Sequence, residues 1–535
     1  MRWSRKSLIL ILAATSAALA LRLPRLQQRP MHTDEAVHAV KFGSLLEEGY
    51  YRYDSHEFHG PTLNYLTLIP AWFSSAKNFT EISETTLRIV PVFFGVLLVL
   101  MLLLLTDGLG WPAAVIAALL TAVSPAMVFY SRYYIQEMLM VCFTFGVIVS
   151  GYRYTLNKKI VWAVFTGIFL GMMHATKETC IIAYGSMLTA LFLTLLLGQR
   201  KDGYVLNLRG ALKPWHGITA VATAILVSAL LYSSFLTNPG GILDSVLAYK
   251  TYFTRAGHND FHIHPWFYYL KVLIFSKYGG GPVWSEAFII ILAGIGFMVA
   301  VKRNSLSAVD SNLIRFIAFY TLIMTVIYSI IPYKTPWNLS EFVHGMILLA
   351  GVGAVAIIKY QTNKVTQVLT SLLLLAGASH LTWQTYLSNY RYFEDSTNPY
   401  VYAHPVSDIY QVVSRVEEIA SVHPDGQNMY IEVIFPEDDY WPLPWYLRAF
   451  PNVGWRKKVD EKTPAAPVII ASPRVEQDLM RKLYELPPPG ERNLYVPLFN
   501  SYMELRPKIE IRGYVRKELW EKFQHRNKQH NINLN

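Results

Sequence analysis

Apolar runs of roughly 17–22 residues recur through the first three quarters of this chain, each long enough to cross a hydrocarbon core about 30 Å thick. They fall at 5–21, 86–106, 112–131, 137–155, 160–176, 179–198, 216–236, 284–301, 314–331, 339–358 and 365–383, which predicts eleven spans. Helices satisfy their own backbone groups in lipid, so the fold class is an α-helical polytopic membrane protein. Composition agrees: of 535 residues, 53% are apolar and only 16% charged, too apolar for a soluble protein of this size. The shorter run from Pro61 to Trp72 reads as an interfacial or re-entrant helix. No span follows residue 383. The reading is a membrane domain over 1–383, with external loops at 22–85 and 237–283, and a soluble domain over 384–535.

Basic residues set the orientation. With Arg2, Arg5 and Lys6 inside, the inner loops carry Arg153, Lys158, Lys159, Arg200, Lys201, Arg209, Lys213, Lys302, Arg303, Lys359 and Lys364. Only Asp107, Asp202 and Asp310 offset them. The outer side receives the loop around Asp34, segments 132–137, 177–178, 237–283 and 332–338, and the C-terminal domain. Topology therefore explains the net charge of +11. Nucleic acid is not the implied partner, because the bases lie on several short loops and not on one soluble face. Cys142 and Cys180 both sit in apolar runs, which argues against a disulfide scaffold and a thiolate metal cluster. SAALA ends the first run like a cleavage site. Because the acidic loop begins so soon after it, a retained helix is expected, in a plasma (inner) membrane.

The outer segments are chemically rich. Asp34 and Glu35 stand with His32, His38, Asp54, His56, Glu57 and His59 in one loop, and acids with imidazoles can move protons or hold a cation. FYSRYYIQE brings Tyr133, Tyr134, Arg132 and Glu137, and ATKETC places Lys177 and Glu178 at a tight hairpin. HNDFHIHPWFYYL supplies His258, Asp260, His262, His264 and Trp266. His-x-His in an extended strand points both rings to one side, which suits a divalent metal. IPYKTPWN sets Lys334 between two prolines, with Trp337 following. For each segment alone the bland reading is an aromatic belt, a snorkelling base or a surface ion pair. Together they predict an outer cavity with two acids on different segments, lysines near the lipid phosphate plane, and aromatics that stack on sugar C–H faces. That inventory suits transfer of a sugar from a lipid phosphate.

MHTDEAVHAVKFGSLL followed by HGPTLNYL resembles the first external loop of polytopic GT-C glycosyltransferases. The chain is similar to the dolichyl-phosphate-mannose protein mannosyltransferases and the aminoarabinose lipid A transferases, and most similar to the prokaryotic flippase-activity-associated proteins. SRYYIQE resembles the second acidic motif of that superfamily, Lys177-Glu178 its external lysine segment, and HPWFYYL part of its late loop. The resemblance covers most of the first 340 residues. It implies an inverting transfer from a polyprenyl-phosphate sugar to a hydroxyl of a protein, lipid or glycan acceptor. Asp34 would be the base, Glu137 would bind the acceptor or position Asp34, and Glu35 would be catalytic or a structural partner. Arg132, Lys177 and Lys334 would meet the phosphate, and His59, Tyr133, Tyr134, Glu178, His264, Trp266 and Trp337 the acceptor or sugar. No cofactor is required, since the first loop lacks a DxD; a divalent metal would use His258, Asp260, His262 and His264. The rival is a transporter, or a flippase-associated protein of glycan assembly without its own transferase activity.

The C-terminal part reads as α/β. Residues 406–420 have helical periodicity, while MYIEVIF, APVIIAS and LYVPLF are buried-strand patterns. The polar tail from Lys517 on is expected to be disordered.

Overall fold

Every expected span is helical in the computed structural model, which describes residues 4–54, 59–202, 213–258, 262–302 and 309–534. The helices are Arg5–Arg22, Glu84–Met101 continued to Leu109, Trp111–Val123 with Pro125–Ser131, Glu137–Asn157, Ile160–His174, Cys180–Asp202, Pro214–Tyr232, Ala287–Val301, Ser311–Ile330, Ser340–Lys359 and Lys364–Tyr386. Among the described residues, seven are long and apolar enough to cross a membrane, and a bent pair makes up to eight. Ile160–His174 and Ala287–Val301 are apolar but shorter than the expected spans. The bend of 58° falls at Ser124-Pro125, where proline has no N–H to continue the helix. Glu286 stabilises the break by accepting from Ser124 Oγ at 2.5 Å, Ala126 N at 2.9 Å and Tyr400 Oη at 2.7 Å. That bend delivers the FYSRYY segment to the end of the bundle.

Helix Pro336–Lys359 is the most buried span, whereas Pro214–Tyr232 and Lys364–Arg391 lie at the periphery. Its Gly353 sits against helix Ala287–Val301, where a Cβ would stand 2.0 Å from the Leu292 carbonyl oxygen. Two groups of loop residues make separate sets of contacts. In one, Arg153 pairs with Asp107 at 2.6 Å and Asp310 N reaches the Gly108 carbonyl at 2.7 Å. The described residues singled out for their chemistry make contacts of their own with one another.

The segments between the spans contain helices that apolar-run counting did not register: Thr33–Glu48, Gly240–His258 and Tyr268–Ile274, besides the expected short helix Thr62–Phe73. Thr33–Glu48 begins in a capping box formed by His32 and Glu35 and ends at left-handed Gly49. Polar caps and a polar face hid it from hydropathy.

The C-terminal region holds strands β1 (Ile431–Ile434), β2 (Val453–Arg456), β3 (Val468–Ala471), β4 (Tyr495–Pro497), β5 (Glu504–Arg506), β6 (Ile509–Glu510) and β7 (Arg512–Arg516). The main sheet has the order β2-β1-β3-β7-β4, with β1 parallel to β2 and β3, and β7 antiparallel to β3 and β4. Helix Asp408–Ala420 buries Ile409, Val412, Val416 and Ile419, as its periodicity predicts. The tail corrects the expectation of disorder: Lys517–Leu534 is a helix. Leu519 and Phe523, spaced i,i+4, are buried, and Arg415 lies over the Trp520 and Phe523 rings at 5.4 and 5.2 Å. A two-residue apolar stripe was masked by the polar average.

The DDYWPLPWYLR segment docks this region onto the bundle. Trp445 Nε1 donates to Glu84 at 2.9 Å, Arg448 to the Ile82 carbonyl at 2.9 Å, and Met31 N to Tyr446 Oη at 2.8 Å.

Candidate active site

Asp34 and Glu35 occupy the first turn of helix Thr33–Glu48 and face opposite ways. Glu35 is fully buried and takes two N–H bonds from Arg88, at 2.7 and 2.6 Å, one from His32 N at 3.0 Å and one from Tyr134 N at 2.8 Å. Burial alone would raise its pKa, but Arg88 and Arg29 beside it hold it below the usual carboxylate range. Glu35 therefore belongs to the frame; its inclusion among the catalytic acids is corrected, because no lone pair is left facing the pocket. Asp34 has 42% of its side chain exposed and its nearest ion-pair partner, His32 Nδ1, is 3.9 Å away. His32 accepts from Asp34 N through Nδ1 at 3.0 Å, so its proton sits on Nε2, which donates to the Tyr402 carbonyl at 3.1 Å. Burial keeps His32 below the usual histidine value.

A second layer comes from HGPT and ATKE. Thr62 N and Oγ1 both donate to the Ala175 carbonyl, at 3.1 and 2.6 Å. At Gly60 a Cβ would stand 2.2 Å from that same oxygen, so only glycine permits the approach. The contact brings His59 Nδ1 to 2.7 Å from Glu178, which also accepts from Tyr53 Oη at 3.4 Å. Burial raises the Glu178 carboxyl, but the His59 imidazole holds it below the usual range. Lys177 is buried and bonded to Glu137, with Asn338 Oδ1 3.4 Å away. His38 lies between the two centres: burial and His59 push it down to about 4, while Asp34 draws it up and Lys177 down.

The third layer joins two loops to the connector that follows the last span. Ile263 and Tyr333 form an antiparallel bridge, and Lys334 N donates to the His262 carbonyl at 2.9 Å. His262 adopts φ +65°, a left-handed backbone uncommon for non-glycine residues. His262 Nδ1 lies 2.5 Å and His264 Nε2 3.5 Å from the Tyr402 hydroxyl, so the alternate histidines do share a side. Burial lowers both imidazoles, and the Asp34 carboxylate acts on His262 against that shift. Lys334 Nζ meets the carbonyls of His264, at 3.1 Å, and Ile331; burial lowers its pKa. Trp337 packs against His32, Tyr133 and Tyr402, with centroids 5.8–5.9 Å apart. His404 stacks on Tyr133 at 5.3 Å, and two buried atoms here, Tyr133 Oη and His404 Nε2, have no partner in the protein. The structure thus gathers Asp34, His59, Tyr133, Glu137, Lys177, Glu178, His262, His264, Lys334 and Trp337 through shared neighbours.

Other expectations need correction. Arg132 does not face a donor phosphate: it holds the carbonyls of Arg22 and Pro24 at 2.7 Å each, Arg25 at 3.2 Å and Tyr390 Oη at 3.1 Å. Tyr134 is buried with its hydroxyl on Thr67 at 2.8 Å, and Trp266 is 65% exposed, so neither is placed for a sugar in this pocket. His258 ends a helix, but its side chain, like Asp260, His56 and Glu57, lies outside the described residues. Among the described residues no three His, Cys, Asp or Glu side chains stand close enough to hold a metal. Sequence reasoning missed Arg29, Arg88, Asn338, Tyr402 and His404. An arginine inside a predicted span, as Arg88 is, was a readable signal; nothing marked Tyr402.

Known proteins share this architecture. ArnT from Cupriavidus metallidurans bound to undecaprenyl phosphate superposes with a TM-score of 0.63 at 13% identity, over 96% of this chain and 98% of that one. Its apo form gives 0.62 at 13% identity, over 94% and 97%. The Archaeoglobus fulgidus oligosaccharyltransferase tethered to an acceptor peptide gives 0.51 at 13% identity, over 84% of this chain but only 63% of that one. Residues 67–206 match the model of the dolichyl-phosphate-mannose-protein mannosyltransferase family. This is the fold of the GT-C glycosyltransferases. No curated protein matches by sequence. The mannosyltransferase match runs from helix Thr62–Phe73 past Lys177-Glu178, so it includes the bend, Glu137 and the HGPT dock's partner hairpin.

Proposed function

We propose that this GT-C-type membrane glycosyltransferase moves a sugar from a polyprenyl phosphate to an acceptor hydroxyl on the outer face of a plasma membrane, with the C-terminal domain also outside. The observation that carries the proposal is Asp34: a half-exposed carboxylate linked through shared neighbours to bonded lysines, imidazoles and aromatic rings. Asp34 takes the proton of the acceptor hydroxyl, whose oxygen attacks the anomeric carbon. The bond from that carbon to the phosphate oxygen breaks on the opposite face, and its electron pair leaves with the polyprenyl phosphate, so the anomeric centre inverts. Lys177 and Lys334 offset the charge gathering on the leaving phosphate, an effect strongest where water is excluded. Glu137 holds Lys177 in place, and His59, Glu178, His264 and Trp337 contact sugar or acceptor. No metal enters the scheme.

Asp34→Asn tests it, with the fold checked by chromatography and a radiolabelled polyprenyl-phosphate sugar as donor. Transfer should fall about 10²–10⁴-fold, the usual effect of removing a placed base, and chelation of the intact protein should change nothing. Near-normal turnover by Asp34→Asn would favour the transport or scaffold reading instead. Lost turnover after chelation would restore a metal to the mechanism.

A further inference from the structure

Beneath the site the bundle holds a second polar cluster that sugar transfer does not use. Glu341 and His344 lie about one turn apart on helix Ser340–Lys359. They line one small cavity with Tyr320 of helix Ser311–Ile330 and Thr144 of helix Glu137–Asn157. Gly345 lines the same cavity, and a Cβ there would stand 2.2 Å from Thr321 Oγ1. All five polar side chains are more than nine-tenths buried. Glu341 Oε2, His344 Nε2, Tyr320 Oη, Thr144 Oγ1 and Thr321 Oγ1 have no hydrogen-bond partner in the protein. Native interiors leave few such atoms, and four on the lining of one cavity, with Thr321 Oγ1 next to it at Gly345, describe a place shaped to hold something. The rest of the lining, including Val141, Phe145 and Leu348, is apolar.

The geometry points to a monovalent-cation site, of the sodium class, set in the membrane domain below the Glu137–Lys177 pair. Three of the four lining polar atoms, and Thr321 Oγ1 beside them, are hard oxygens, and Glu341 is the one acid among them, so it supplies a single negative charge when it ionises against a bound cation. Zinc favours nitrogen or sulfur donors in a set of three or four, and calcium and magnesium sites draw on several carboxylates or phosphates. The cavity has room for roughly one water-sized particle, which admits a small dehydrated ion. Glu341 also lies within electrostatic reach of Lys177. A bound cation neutralises that pull and leaves Lys177 committed to Glu137 and the outer pocket. The inference goes beyond the transferase reading, and its test does not depend on it.

Full-length protein in detergent is unfolded by heat in sodium chloride or N-methyl-D-glucamine chloride, at equal ionic strength and pH. Sodium should raise Tm by about 2 °C or more, saturating with concentration. Glu341→Gln should abolish that rise. Thr144→Ala keeps every charge and should move the sodium titration to about tenfold higher concentration; it decides the matter alone if the glutamate variant does not fold. Equal Tm in the two salts, or a sodium effect that survives both substitutions, overturns the site. A Tm that follows pH and ignores cation identity overturns it too, because the cavity then holds a proton or water.

Discussion

Adjacent carboxylates meet opposite fates at Asp34 and Glu35 because successive helical residues turn roughly 100° apart. One turns into the Arg88 guanidinium, the other stays half-exposed. The acidic pair was legible in the sequence, and the resemblance named Asp34 as the base; the partner that occupies Glu35 was not legible, since Arg88 comes from a different helix. His38 carries a pH dependence of definite sign. It is neutral when folded, held down to about 4 by burial and by His59, with Asp34, Glu35 and Lys177 as its other charged neighbours. Unfolded chains take a proton there below about 6.5, so the stability it contributes is full above that pH and is lost as pH falls from about 6.5 to about 4. The loss is about 3 kcal/mol. His32, His262, His264 and His404 are lowered too and add to it with the same sign. Tm measured from pH 7 to pH 4.5 should fall, and His38→Asn should flatten the slope; an unchanged slope refutes the assignment.

At the scale of elements, the short motifs act as docks. HGPT read as part of a resemblance, yet its physical content is the contact of Gly60 and Thr62 with the Ala175 carbonyl, which seats His59 on Glu178. Gly60→Ala should cost about 1–3 kcal/mol, because backbone cannot yield as a side chain can, and should remove most transfer activity. Gly49→Ala, at an open left-handed helix end (φ 76°), should cost about 1 kcal/mol and leave transfer unchanged. Thermal unfolding and a transfer assay on both variants check this, and equal activity loss in the two would contradict the docking role. The eleven apolar runs were read as helices to within a few residues of their ends, though among the described residues seven, or eight with the bent pair, are long and apolar enough to cross a membrane. The short helices between the spans were not read, because their faces are polar and partly covered by other segments.

For the whole molecule, the surprise is that the connector beyond the last span completes the pocket. Tyr402 and His404 contact His32, Tyr133, His262 and Trp337. The seat of the C-terminal region depends on Arg448, which lies 3.8 Å over the Trp445 ring and bonds the Ile82 carbonyl. Arg448→Ala should weaken that seat by about 1–3 kcal/mol. Limited proteolysis should then cut residues 392–407 faster, and transfer should decline although no pocket residue has changed. Wild-type cleavage and turnover in this variant would separate the two halves functionally.

Periodicity and hydropathy are local properties. The chain alone therefore settled the helical bundle, three of the seven C-terminal strands (β1, β3 and β4) and the segments that carry chemistry. Pairing between residues hundreds of positions apart is not local. Only the folded chain assigned Glu35 to Arg88 and Arg132 to backbone carbonyls, brought Tyr402 to the histidines, and set Glu341 among hydroxyls. Each of those outcomes depends on which helices become neighbours, and burial then decides which charges remain available.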